Sequence, residues 1–145
     1  MREFTYEALP GRVVFGVGSL DRLADEVERL GVAKALVLST PQQREQAEDV
    51  AARLGDRSAG VCDKAEMHVP IDVAKAARAE AERLGADACV AVGGGSTIGL
   101  GKAIALEFGL PIIAVPTTYA GSEMTPIWGL TEDGVKKTGR DAKVL

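Results

Sequence analysis

The chain has 145 residues, a net charge of −4, 46% hydrophobic, 26% charged and only 4% aromatic residues, a composition that suits one globular domain of about 100–150 residues. The acidic balance and the lack of a basic patch argue against nucleic acid as a partner, and no apolar run approaches the roughly 20 residues of a membrane helix. Met1-Arg2-Glu3-Phe4 lacks a signal-peptide core, and Cys62 and Cys89 sit in apolar strand patterns, which favours buried free thiols in a cytoplasmic protein over a disulfide.

The elements follow in chain order. Residues 4–8 and 12–15 flank Leu9-Pro10-Gly11, a turn signal, so an N-terminal β-hairpin is predicted. Its edge needs a cover, and another subunit is one candidate. Ser19 is a candidate N-cap for a helix with Leu20, Leu23, Ala24, Val27 and Leu30 at helical spacing, ended by Gly31. Ala35-Leu36-Val37-Leu38 reads as a buried strand that runs into Ser39-Thr40-Pro41. A helix with Val50, Ala51 and Leu54 stops at Gly55, and a short strand covers 59–62. The spacing predicts a helix over 72–84, with Val73, Ala77, Ala81 and Leu84 inward. Ala88-Cys89-Val90-Ala91-Val92 is an unbroken apolar run, the pattern of a strand buried on both faces. Gly93-Gly94-Gly95 and Ser96 follow it, then a helix to about Phe108 and a last apolar strand over 110–116. Strand and helix alternate at least four times. The reading is an α/β, Rossmann-like, doubly wound and mostly parallel sheet with an N-terminal β-hairpin.

In such sheets ligands sit beyond the carboxyl ends of the strands. Three loops occupy that edge: Ser39-Thr40, the stretch 93–97, and 116–123. Glycines let the chain turn sharply with no Cβ against a ligand, and Ser96 is placed to cap the next helix. A strand, a glycine turn and a helix N-terminus together form a phosphate site, so Gly93, Gly94, Gly95, Ser96 and Thr97 are read as the cradle of a nucleotide pyrophosphate. A glycine turn without a ligand is the competing reading. Neither named pattern is met, because Ile98 stands where the dinucleotide fingerprint needs its third glycine and Ala103 where a P-loop needs Ser or Thr. Pro116-Thr117-Thr118-Tyr119-Ala120-Gly121-Ser122 brings several hydroxyls to the same edge, where they can bond phosphate or adenine. Ser39 lies where a site that selects a free ribose 2′-hydroxyl often carries Asp or Glu, so a nucleotide with or without a 2′-phosphate is expected to fit. His68 cannot build a metal site alone and reads more readily as a structural or solvated residue than as a proton donor.

The two loops GGGSTIGLGKAIA and PTTYAGSEMTP together resemble the iron-containing alcohol dehydrogenase family. Gly99-Leu100-Gly101-Lys102, Tyr119-Ala120-Gly121-Ser122-Glu123, Trp128-Gly129-Leu130-Thr131-Glu132 and Lys137-Thr138-Gly139-Arg140-Asp141 are most similar to its maleylacetate reductase branch. Most iron-dependent members carry aspartate where Gly99 stands. The resemblance covers the whole chain but only the first half of a family member. It implies that residues 1–145 are the NAD- or NADP-binding domain, and that an all-helical C-terminal domain with the metal ligands lies outside this chain, so no metal is expected here. It places Gly94, Gly95, Ser96 and Thr97 at the pyrophosphate and Thr117 and Thr118 near the adenine. Thr125, Ile127 and Thr131 would line the route to the nicotinamide, and Lys137 would meet its ribose. The complete enzyme is expected to be a homodimer that reduces the dicarboxylate 2-maleylacetate to 3-oxoadipate in aromatic-compound breakdown. A simple alcohol or aldehyde as substrate, or a non-catalytic nucleotide-binding module, are the alternatives.

Overall fold

The computed structural model describes residues 9–144. The repeated strand–helix pattern becomes α1 (Leu23–Arg29), β1 (Ala35–Leu38), α2 (Arg44–Leu54), β2 (Ser58–Cys62), α3 (Ile71–Arg83), β3 (Ala88–Gly93), α4 (Gly95–Phe108) and β4 (Ile112–Pro116). Four strands form one parallel sheet in the order β2-β1-β3-β4. Strands β1 and β3 are its centre and are buried along their whole length, which is why their sequences run apolar instead of alternating.

Alternation within those strands sorts the core into two layers. Leu36, Leu38 and Cys89 face α3 and α4 through Ala74, Ala77, Ala81, Leu100, Ala103 and Ile104. Ala35, Val37, Ala88, Val90 and Val92 face α1 and α2 through Leu23, Val27, Ala47, Val50 and Leu54. Alanines on α3 let that helix sit close to its neighbours. Both cysteines are buried free thiols, and burial in the apolar layer pushes the Cys89 thiol up to about 12.

Two local expectations are corrected. Residues 19–22 form a 3-10 turn, and Gly18, in the left-handed region at φ 74, takes the cap position that Ser19 was expected to fill. The predicted N-terminal hairpin falls partly on residues 4–8, outside the described residues, and 12–15 lie in no strand. The chain forms a different hairpin after β4. Strands β5 (Ile127–Glu132) and β6 (Val135–Arg140) pair antiparallel. The turn between them is Asp133-Gly134, with φ of 50 and 74, the left-handed pair that a two-residue hairpin turn requires. Trp128 stands opposite Gly139, and a Cβ on that glycine would lie 2.6 Å from the indole.

Candidate functional site

The chain leaves β1 for β2 on one side and β3 for β4 on the other, so the sheet order reverses between β1 and β3. That reversal opens a crevice at the carboxyl ends of the two strands. Three loops meet there. Thr117 N–H donates to Gly93 O at 3.0 Å. Gln43 Nε2 donates to Thr117 Oγ1 at 3.1 Å, which ties the segment after β1 to the loop after β4.

Each glycine of the turn has its own reason. Gly93 has φ 151, and a Cβ there would lie 2.5 Å from Thr97 Oγ1 and 2.8 Å from Gln43 Oε1. A Cβ on Gly94 would lie 2.9 Å from Thr118 Oγ1. Both are therefore required by the protein's own packing. At Gly95 the nearest atom to a Cβ is Ala120 Cβ at 3.5 Å, an ordinary contact. Bare backbone at Gly95 answers to no close neighbour among the described residues and leaves room for something outside them.

Helix α4 begins at Gly95, and no side chain caps it. Ser96 is inside the first turn, which corrects the expectation that it caps the helix. The first N–H groups of α4, at Gly95, Ser96 and Thr97, have no intrahelical acceptors. Uncapped N–H groups at the positive end of a 14-residue helix form a site for an anion.

From there a cavity of about 500 Å³ runs along one face of α4, past Gly95, Ser96, Gly99 and Lys102, to β5 and β6, within the usual range of small-molecule clefts. Its walls include Met67, His68, Val69, Ala120, Ser122, Thr125, Ile127, Trp128, Lys136 and Thr138. The floor is set by Lys102, which is 2% exposed. Its Nζ donates to the carbonyls of Ser122 at 2.6 Å, Thr125 at 2.7 Å and Ile127 at 2.7 Å. Burial pulls the Lys102 ammonium down to about 8, partly opposed by the Glu123 carboxylate.

The structure divides the sequence-derived residues. Gly95, Ser96, Thr125 and Ile127 line the cavity. Gly93, Gly94, Thr117 and Thr118 shape the crevice beside it. Ser39 and Thr97 are fully buried beneath the loops, and neither hydroxyl has a hydrogen-bond partner among the described residues. Thr131 holds the backbone of 68–69, its N–H on Val69 O at 3.0 Å and its hydroxyl on His68 O at 2.8 Å. Lys137 pairs with Glu132 at the surface, which raises the lysine by hydrogen bond and charge. Its neighbour Lys136 reaches the cavity. Sequence reasoning missed Lys102, Gln43 and Lys136. Lys102 had a signal, being the one charge inside the otherwise apolar stretch 98–106. Gln43 had none.

No group of three or more His, Cys, Asp or Glu side chains among the described residues could hold a metal ion. No helix among them is long and apolar enough to cross a membrane.

A parallel sheet with a glycine turn and an open helix N-terminus at its switch point agrees with the comparison by sequence. Residues 10–145 match the profile of iron-containing alcohol dehydrogenase, and the chain belongs to that family. Within it, the chain is 63% identical to a maleylacetate reductase of Burkholderia cepacia and 59% identical to one of Sphingobium indicum, over 100% and 99% of its own length and 41% and 40% of theirs. The crystal structure of maleylacetate reductase from Agrobacterium tumefaciens superposes with a TM-score of 0.95 at 54% identity, over 100% of this chain and 41% of that one. The chain thus spans about two fifths of the length of the curated relatives it matches.

Proposed function

We propose that this chain is the nicotinamide-dinucleotide-binding part of a maleylacetate reductase, which reduces the carbon–carbon double bond of 2-maleylacetate to give 3-oxoadipate. The observation that carries the reading is Gly95, a residue the fold does not need to be glycine, at the mouth of an uncapped helix. A pyrophosphate there takes hydrogen bonds from the first N–H groups of α4 and lies against bare backbone. The Thr117 and Thr118 hydroxyls flank the adenine side, and the cavity along Gly99, Thr125 and Ile127 receives the nicotinamide end. When bound, the reduced nicotinamide supplies a hydride to the electron-poor alkene.

Ser39-Thr40-Pro41-Gln42-Gln43 follows β1 with no carboxylate, so nothing there repels a 2′-phosphate and both NADH and NADPH are accepted. The substrate carries two carboxylates. Lys136 faces it from this chain, and the further part of the protein supplies the remaining donors. Tyr119, Met124 and Ile127 are exposed beside the cleft and form the face that a helical second domain covers. Val13, Phe15 and Val17 are exposed as well and suit contact with a second copy in a cytoplasmic dimer.

The test is a calorimetric titration of the chain with NADH and NADPH beside Gly95→Val. Saturable binding is expected for the wild type, with at least a hundredfold loss in the variant and an unchanged thermal transition. Binding that survives the valine undamaged would falsify the cradle.

A further inference from the structure

Two adjacent non-glycine residues between β2 and α3 lie in the left-handed region, His68 at φ 64 and Val69 at φ 46. For a β-branched residue such as valine this is a strained conformation that a folded chain rarely keeps without a reason. Three contacts hold it. The Thr131 N–H donates to Val69 O at 3.0 Å and the Thr131 hydroxyl to His68 O at 2.8 Å. The Val69 side chain, 5% exposed, sits over Gly99 of α4, where a Cβ would lie 2.8 Å from Val69 Cγ2. One helix, one hairpin and a strained strap therefore combine to place His68. His68 lines the cavity and is open to solvent.

The reduction assigned above needs a proton as well as a hydride. The other polar groups on the cavity wall are poorly suited to give one. Lys136, exposed on the hairpin, is already assigned to a substrate carboxylate. Lys102 has its donors committed to three carbonyls. The hydroxyls of Ser96, Ser122, Thr125 and Thr138 are weak acids. Imidazole is the side chain that both releases and regains a proton near neutrality.

We propose that His68 is the proton donor of this cleft, held in place by Thr131 and Gly99. The proposal rests on the reductase reading. One alkene carbon receives the hydride and the π bond breaks. The electron pair left on the adjacent carbon, next to the ketone, takes the proton from the His68 imidazolium and forms the second C–H bond. The alkene is reduced, the nicotinamide is oxidised, and the neutral imidazole regains its proton from water.

The test uses the complete protein that carries this chain, with His68→Asn and His68→Gly. Both replacements accept the left-handed backbone, so the fold is kept. Four quantities are measured: thermal stability, NADH affinity, kcat with maleylacetate, and the effect of added imidazole on kcat. The expected result is an unchanged or higher Tm, NADH affinity within threefold of wild type, and kcat lower by at least about a hundredfold. Imidazole should restore part of the activity of His68→Gly and leave the wild type unaffected. If kcat stays within threefold in both variants, or falls without any rescue, His68 is not the donor. If the wild type binds NADH but does not reduce maleylacetate, the reductase reading fails and takes this assignment with it.

Discussion

Lys102→Met is the substitution whose energetics can be worked furthest. Methionine keeps the length and volume of the side chain and removes its donors. Three carbonyls, of Ser122, Thr125 and Ile127, lose their partner, at about 1 kcal/mol each. Against this, burial pulls the ammonium from 10.5 to about 8, which corresponds to about 3 kcal/mol against the charged form. The two effects nearly cancel at pH 7, so the variant should match the wild type there to within about 1 kcal/mol. They separate as the pH rises. With the folded value below the unfolded one, the unfolded chain holds a proton that the folded chain has released between about 8 and 10.5. Wild-type stability therefore rises across that window by up to about 3 kcal/mol, and the variant lacks this gain. Thermal melts of both proteins should coincide at pH 7 and differ by about 10 °C near pH 10. Amide exchange at 122–127 should be faster in the variant at both values. A large deficit at pH 7 that shrinks on going to pH 10 would refute the reasoning, since it would mean that the fold favours the ammonium.

Gly99→Ala should lower stability by about 1–3 kcal/mol, because its methyl enters the space of Val69 Cγ2 and the strap must move; urea unfolding measures this, and an unchanged midpoint would show that the notch is not tight. In a titration of the wild type, the NADH and NADPH dissociation constants should lie within a hundredfold of each other, whereas a larger preference for NADH would point to a negative group near the 2′ position.

Much of the sheet was legible because its two central strands are buried on both faces. Ala35–Leu38 and Ala88–Gly93 carry no polar residue within the ladder, and that pattern has few other readings. The glycine turn was legible for a related reason, since three successive glycines cost conformational freedom unless the chain or a ligand uses them. The sequence did not show which glycines serve which purpose. Gly93 and Gly94 serve Thr97, Gln43 and Thr118, and those partners lie at sequence distances that no local pattern encodes. The β5–β6 hairpin was missed although Asp133-Gly134 between two strands is a strong turn signal. The alternation in β5 and β6 is blurred by Gly129 and Gly139, which make room for Lys136 and Trp128 across the hairpin. The strap at 68–69 was invisible because left-handed valine is a product of tertiary contacts and contradicts local preference.

Helix α4 shows how order is distributed around the cleft. Thr97, Ile98, Leu100, Gly101, Lys102, Ala103, Ile104 and Ala105 are all buried, so the helix is wedged between the sheet, α3 and the residues after β4 and cannot roll or slide. The freedom lost in aiming its first N–H groups is lost when the chain folds, not when a ligand arrives. The loop after β4 is different: residues 117–120 are all exposed, although Thr117 is tied to Gly93 and Gln43. Immobilising the exposed side chains of Thr118 and Tyr119 falls on the binding step, at about 0.5–1.5 kcal/mol each. Affinity in this cleft is therefore adjustable through the exposed Tyr119, with the anion-facing end of α4 left untouched.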